Sequence, residues 1–269
     1  MYFSRMRSLI LFIFLSAAVL HAQDSLEVSA LPLDTAVSLK ADTFIGIDSY
    51  NNFYYVKDRT LYKKSQDKTI QFSDLRLGTI STVDLLNPLR ITVFYAETNT
   101  AVILDNTLNE ITRVNFNAIE NFRNVSHART ASDRRLWIFN TDLQRLELFD
   151  YQNNRVDSNF TPQADIALEL ASDFNTCWVL SEDNLYHYNQ YGSLLEKLPA
   201  TSLANIAILD ENLFGIQDQK LFIKTKQSAS WQEIKNLPQD TKAFYLKAGN
   251  LYLYRSEKIS TYTLKLPKS

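Results

Sequence analysis

The chain has 269 residues, of which 45% are hydrophobic and 12% aromatic, with a formal net charge of −2, five Gly and six Pro. That balance excludes a disordered or low-complexity chain, and the lack of a basic block speaks against nucleic acid or an anionic membrane surface as partner. A single cysteine, Cys177, rules out an internal disulfide, so packing must carry the stability.

The first predicted element is an export leader. Arg5 and Arg7 precede an apolar run at residues 9–20, and Leu20-His21-Ala22 places a small residue just before Gln23, as signal peptidase requires. The run is too short to span a bilayer comfortably. We therefore expect a signal peptide at 1–22 and one exported domain at 23–269, with no membrane insertion once the leader is removed. Loss of Arg5 and Arg7 makes that domain more acidic still. Two Asn-x-Ser/Thr sequons, at Asn124 and Asn159, would matter only in a eukaryotic secretory pathway.

A strand is expected at residues 26–31, followed by six similar units. Each unit contains a short apolar strand with an aromatic anchor: Tyr54, Phe94, Trp137, Trp178, Phe214 and Tyr252, spaced 36–43 residues apart. A polar tip and a second apolar strand follow every anchor, beginning near Leu61, Val102, Leu146, Leu185, Leu221 and Ile259. Alternating apolar residues on either side of a short polar tip form a β-hairpin. A further strand precedes each hairpin, at 44–47, 80–83, 125–129, 166–170, 206–209 and 244–246. Another follows it, at 70–72, 111–114, 155–156, 194–195 and 231–234, but the sixth unit has no room for one. Residues 117–122 suggest a single helical turn.

A repeat of about forty residues is the signature of a repeat architecture. Four-stranded sheets apolar on both faces bury both by stacking radially, which also removes open edges. The expected fold is all-β: a six-bladed β-propeller of four-stranded antiparallel blades, closed by the N-terminal strand completing the last blade. A β-sandwich of hairpins is the alternative and does not explain six equal units.

The unit running from Ala171-Ser172-Asp173 through Trp178 to Leu185-Tyr186-His187-Tyr188 resembles those of six-bladed β-propellers of the bacterial periplasm and envelope. The likeness covers nearly all of the mature chain, and a leader ending in Ala22-Gln23 resembles those of Gram-negative bacteria with a type IX secretion system. The resemblance implies a fold, not an activity. The Trp-Asp signature is missing, and residues 225–231 lack the Asp and Gly of a sialidase box.

Candidate chemistry is sparse. His21, His127 and His187 are the only histidines. His127 and His187 fall in different units and make no ordinary zinc site. Cys177 alternates with Trp178 in a buried strand and reads as an inert thiol. No cofactor motif or metal set can be placed. Asp48, Asp84, Asp133, Asp173 and Asp210 are more interesting, since each follows an innermost strand and precedes the aromatic one. Those turns would cluster at one mouth of the central channel, where carboxylates could bind a cation such as calcium or a basic partner residue. Ordinary turn chemistry is the competing explanation. Arg129 and Lys247 could pair with some of these carboxylates. Tyr186 with Tyr188, and Tyr252 with Tyr254, share strand faces, while Tyr50, Tyr151 and Tyr191 in loops are better interface candidates.

These features favour a non-enzymatic interaction module with an envelope protein or complex as partner, such as an outer-membrane or secretion assembly. It would sit in the periplasm, on the periplasmic face of the outer membrane, or outside the cell. The alternative is a hydrolase or lyase acting on a sugar or lactone at the channel mouth.

Overall fold

Alternation along single strands sets the architecture. In the strand Arg135–Asn140, Leu136 and Ile138 pack into one apolar cluster while Trp137 and Phe139 pack into another, and all four are buried. A strand buried on both faces needs a sheet on each side of it.

The computed structural model describes residues 28–158, 160–200, 202–226, 228, 230–239, 241 and 243–266. The expected leader at 1–22 and the sequon at Asn159 lie outside the described residues. The first strand is β1 (Ser29–Ser38). Blade 1 comprises β2 (Thr43–Ile47), β3 (Phe53–Lys57), β4 (Thr60–Lys64) and β5 (Thr69–Phe72). Blade 2 comprises β6 (Thr82–Asp84), β7 (Ile91–Tyr95), β8 (Thr100–Leu104) and β9 (Glu110–Asn115). Blade 3 comprises β10 (Val125–Thr130), β11 (Arg135–Asn140), β12 (Arg145–Asp150) and β13 (Arg155–Ser158). Blade 4 comprises β14 (Glu169–Ser172), β15 (Thr176–Leu180), β16 (Asn184–Asn189) and β17 (Leu194–Pro199). Blade 5 comprises β18 (Leu203–Leu209), β19 (Asn212–Gln217), β20 (Lys220–Lys224) and β21 (Gln232–Glu233), and blade 6 contains β22 (Ala243–Lys247), β23 (Asn250–Arg255) and β24 (Lys258–Lys265). Every blade is an antiparallel meander, and β1 joins blade 6 beyond β24. The chain is a six-bladed β-propeller.

Each pair of neighbouring blades shares one apolar cluster. The six anchors all point the same way round. Tyr54 packs against blade 2, Phe94 against blade 3 and Trp137 against blade 4. Trp178 packs against blade 5, Phe214 against blade 6 and Tyr252 against blade 1. The anchor therefore recurs because every blade fills the same gap in its neighbour.

Closure involves more than one added strand. β1 runs antiparallel to β24 from Ser29↔Lys265 to Ser38↔Lys258, with a bulge between Pro32 and Ala36. Its other edge clips onto blade 5: Ala30 N donates to Lys235 O at 3.1 Å, and Lys235 N donates to Val28 O at 3.0 Å. The chain then crosses to blade 1, passing the Tyr254 hydroxyl of blade 6, which lies 3.1 and 2.9 Å from Leu39 O and Ala41 O and accepts from Ala41 N at 3.2 Å. Blades 5, 6 and 1 are thus tied by residues 28–41.

Two local expectations are corrected. Residues 117–122 form no helix; Asn117 N and Ala118 N turn back onto Asn115, whose side chain offers a competing acceptor. The short 3₁₀ segment lies instead at Leu75–Leu77, capped by Asp74. The inner strand of blade 4 starts at Glu169 rather than at 166. Asp165 accepts bonds from Asn184 and the Tyr186 hydroxyl, which folds residues 165–168 over the β15–β16 tip.

With few glycines, the tight two-residue hairpins use other residues at positive φ. Asp58-Arg59, Asp210-Glu211 and Asp218-Gln219 each have φ near +49° and +62°. Asp tolerates that conformation better than most side chains.

Candidate functional site

The innermost strands β2, β6, β10, β14, β18 and β22 each form the free edge of a sheet and lie beside one another around the channel. A free edge leaves carbonyls in need of donors. Side chains of neighbouring inner strands supply them. His127 Nε2 lies 3.0 Å from Leu168 O, and Arg129 Nε donates to Leu170 O at 2.9 Å. Ser172 Oγ donates back to Thr130 O at 3.1 Å, and Lys247 Nζ donates to Ile47 O at 3.1 Å. Arg129 and Lys247 therefore stitch edges together, and Lys247 also feels the charge of one of the five aspartates, Asp48, whose closer cation is Lys63.

The five aspartates fall into three situations. Asp48 is buried, and its oxygens accept from Tyr50 N, Asn52 N, Asn52 Nδ2 and the Tyr54 hydroxyl. Its cation is Lys63, at 3.1 Å. Burial pushes its pKa upward, but these bonds outweigh that and hold it below the usual carboxylate value. The same arrangement raises the Tyr54 phenol, chiefly through burial and then through the neighbouring charge.

Asp84 is also buried and spans two blades. One oxygen accepts from Leu86 N at 2.9 Å and the other from Thr130 N of blade 3 at 2.8 Å. Asp173 caps its own turn through Asn175 N, Thr176 N and the Thr176 hydroxyl. Its carbonyl accepts from Trp137 Nε1 of blade 3 at 3.2 Å. Asp133 and Asp210 point to solvent at positive-φ turns, and Asp133, 83% exposed, pairs with Arg135. Among the described residues no group of three or more His, Cys, Asp or Glu is placed to hold a metal ion.

Several relevant residues lay outside the sequence reading. Glu169, at the start of β14, accepts from Ile206 N of blade 5 at 3.1 Å, and burial raises its pKa while Arg129 opposes that. Asp105 and Asp150 cap the β8–β9 and β12–β13 turns as Asp48 caps its own. The Asp-x-Tyr-x-Asn and Asp-x-Thr-x-Asn patterns at 48–52 and 105–109 were the readable signal for these turns. Glu147, inside β12, is fully buried between Arg123 and Arg145.

An open cleft of about 580 Å³ lies at the same end as the aspartate turns, lined by Arg90, Asp133, Arg134, Arg135, Asp150 and Asp157. Of the loop tyrosines, Tyr50 and Tyr191 are exposed. Tyr151 is buried and accepts from Arg90 at 3.0 Å, so it is no surface candidate. Tyr186 and Tyr188 pack between blades 3 and 4. The Cys177 thiol is pushed well up by burial, which leaves it un-ionised.

No protein-family model matches the chain, and no curated protein matches it in sequence. Solved structures do. Virginiamycin B lyase from Staphylococcus aureus, captured in a catalytically inactive form with quinupristin, superposes with a TM-score of 0.59 at 10% identity. That match covers 89% of this chain and 99% of the lyase. The WD40 domain of Pan2 from Neurospora crassa gives 0.57 at 8% identity, over 85% of this chain and 76% of that one. PorZ from Porphyromonas gingivalis, described as an essential bacterial surface component of the type IX secretion system, gives 0.51 at 15% identity. The match covers 87% of this chain but 34% of PorZ. A lyase, a WD40 domain and a secretion-system surface component share this architecture, and likeness at such identity shows the propeller fold alone.

Proposed function

We propose that this propeller is a non-enzymatic protein-interaction module of the bacterial cell envelope that serves an outer-membrane or protein-secretion assembly. The observation that carries this reading is the use made of its polar groups. Asp48, Asp84 and Asp173 direct their oxygens at backbone N–H groups, and Arg129 and Lys247 direct their donors at carbonyls. The result is a set of rigid turns on which large apolar side chains stand exposed, among them Tyr50, Leu89, Phe174 and Tyr191. Exposed apolar groups on a fixed scaffold suit recognition of another protein. The likeness to PorZ lends support to a place in the envelope.

The test is crosslinking in intact cells followed by purification of the tagged protein from the envelope fraction. A discrete, reproducible adduct is expected. A protein recovered alone under every crosslinking condition overturns the reading.

One observation favours the second reading, a hydrolase or lyase: burial raises the pKa of Glu169 on an inner strand, as a general acid requires. Turnover of a lactone or glycoside panel that Glu169→Gln abolishes, with the fold intact, would establish it.

A further inference from the structure

The end of the ring opposite the aspartate turns carries an apolar patch on blades 3 and 4. Phe122 stands in the β9–β10 connection, Leu143 at the β11–β12 tip, and Ile166 and Leu168 in the β13–β14 connection. Their exposures are 51, 44, 58 and 50%. Hydrogen bonds set the three segments side by side. Thr141 N donates to Asn124 O at 2.8 Å, Asn124 Nδ2 to Asp142 Oδ1 at 2.8 Å, and Gln163 N to Gln144 O at 2.7 Å.

The backbone beneath the patch is fixed. Arg123 is held by the buried Glu147 at 2.8 Å. Leu168 N donates to Leu180 O at 2.7 Å, and Leu168 O faces His127 Nε2. These side chains are presented on ordered loops, which lowers the entropy cost of binding.

The border of the patch is acidic. Glu120, Asp142, Glu182 and Asp183 are exposed there, and Asp165 is half-buried. The guanidiniums of Arg123 and Arg145 both turn inward to Glu147, which leaves one net positive charge beneath the patch against the five carboxylates of the border. Lys197 lies over the Tyr186 ring, 4.9 Å from its centroid.

We propose that this face docks a partner protein through a segment that is both basic and apolar, its large apolar side chains meeting Phe122, Leu143, Ile166 and Leu168 and its Lys or Arg residues meeting the acidic border. The inference rests on the interaction-module reading and adds, at the end opposite the aspartate turns and their apolar side chains, a second docking face with the chemistry of what it takes. Charge complementarity selects the occupant. A second copy of this chain, meeting the patch about a twofold axis, would set one acidic border against another. An anionic lipid surface would meet the same repulsion.

The test uses the mature protein and a fluorescein-labelled amphipathic peptide of Lys and Leu, with its Glu–Leu counterpart as control, read by anisotropy. The Lys–Leu peptide is expected to bind, more weakly as salt rises, and the Glu–Leu peptide not to bind. The Phe122→Ser/Ile166→Ser protein should lose at least about tenfold in affinity, as an anchor pair does. The Glu120→Lys/Glu182→Lys protein should lose affinity and salt dependence together. All four positions are exposed, so folding is retained and melting temperatures check this. Equal binding of both peptides, or affinity unchanged in both variants, overturns the proposal. So does a wild-type dimer that Phe122→Ser dissolves, or patch-dependent binding to phosphatidylglycerol vesicles. A crosslinked partner recovered equally by wild type and by Phe122→Ser/Ile166→Ser overturns the docking face while leaving the interaction module standing. No adduct with wild type overturns the module itself.

Discussion

Arg123 donates from Nε to the Glu147 carboxylate at 2.8 Å, and Glu147 is fully buried on the face of β12 that looks toward blade 2. The pair anchors the blade 2–3 connection, because Asn99 also bonds Arg123 O and Val125 N. Removing the carboxylate strands two guanidiniums. Glu147→Ala should lower the unfolding free energy by roughly 3–5 kcal/mol, the usual cost of breaking a buried pair from one side. Arg123→Ala should act in the same direction, and urea unfolding measures both. A loss below about 1 kcal/mol would mean that water reaches the carboxylate.

Asp84 joins blade 2 to blade 3 through Thr130 N. Asp84→Ala leaves that N–H and Leu86 N without an acceptor, at roughly 1–3 kcal/mol for each buried group. Asp84→Asn retains one acceptor oxygen and should cost less. If both substitutions are silent by thermal melting, Asp84 does not carry the blade contact.

Acid should weaken the fold through its histidines. Burial lowers the pKa of His187, which stacks on Trp178 with ring centroids 4.2 Å apart; Glu196 and Asp173 oppose the shift and Lys224 adds to it. Burial likewise lowers His127, against its bond to Leu168 and together with Arg129. The folded chain thus binds fewer protons than the unfolded chain below the ordinary imidazole value of 6.5. Stability is complete above that value and declines as pH falls through it, levelling off below the folded pKa values. Melting at pH 7.5 and 5.0 should show the loss, and His187→Gln should reduce it. A second decline follows below the ordinary aspartate value as Asp48, whose pKa is depressed, takes up its proton. Glu169, whose pKa burial raises, offsets part of the loss as it takes up its proton, so the histidine assignment is contradicted if His187→Gln leaves the change between pH 7.5 and 5.0 as large as in wild type.

Truncation before residue 39 removes β1 and exposes the edge of β24. It also deletes Val28 and Ala30 from the blade 5–6 cluster and frees Lys235. The truncated chain should melt lower and self-associate through the open edge, as sedimentation would detect. A monomer of unchanged melting temperature would show that β1 is dispensable.

Much of the architecture was legible because it is local and repeated. The spacing from Tyr54 to Tyr252 reports one unit copied six times, and alternation such as Leu136-Trp137-Ile138-Phe139 reports strands buried on both faces. The candidate site was legible in residue type and in turn position, but not in use. Asp210 was conspicuous by its place before an anchor strand, yet it forms a tight turn at positive φ. Arg129 and Lys247 read as counter-ions, but free-edge carbonyls lie nearer to hand. Tyr151 read as a loop aromatic and is buried against Arg90.

The sequence by itself determined the blade count, the strand order and the N-terminal closure, since these follow from periodicity and from which unit lacks a strand. The tertiary structure alone decided that Lys63 serves Asp48, that Glu147 lies between two arginines, and that Phe122, Leu143 and Ile166 share one face. Hydrophobic alternation is set by neighbours two residues away. The partner of a polar side chain is set by whichever donor or acceptor the closed ring brings within about 3 Å, and no spacing along the chain encodes that.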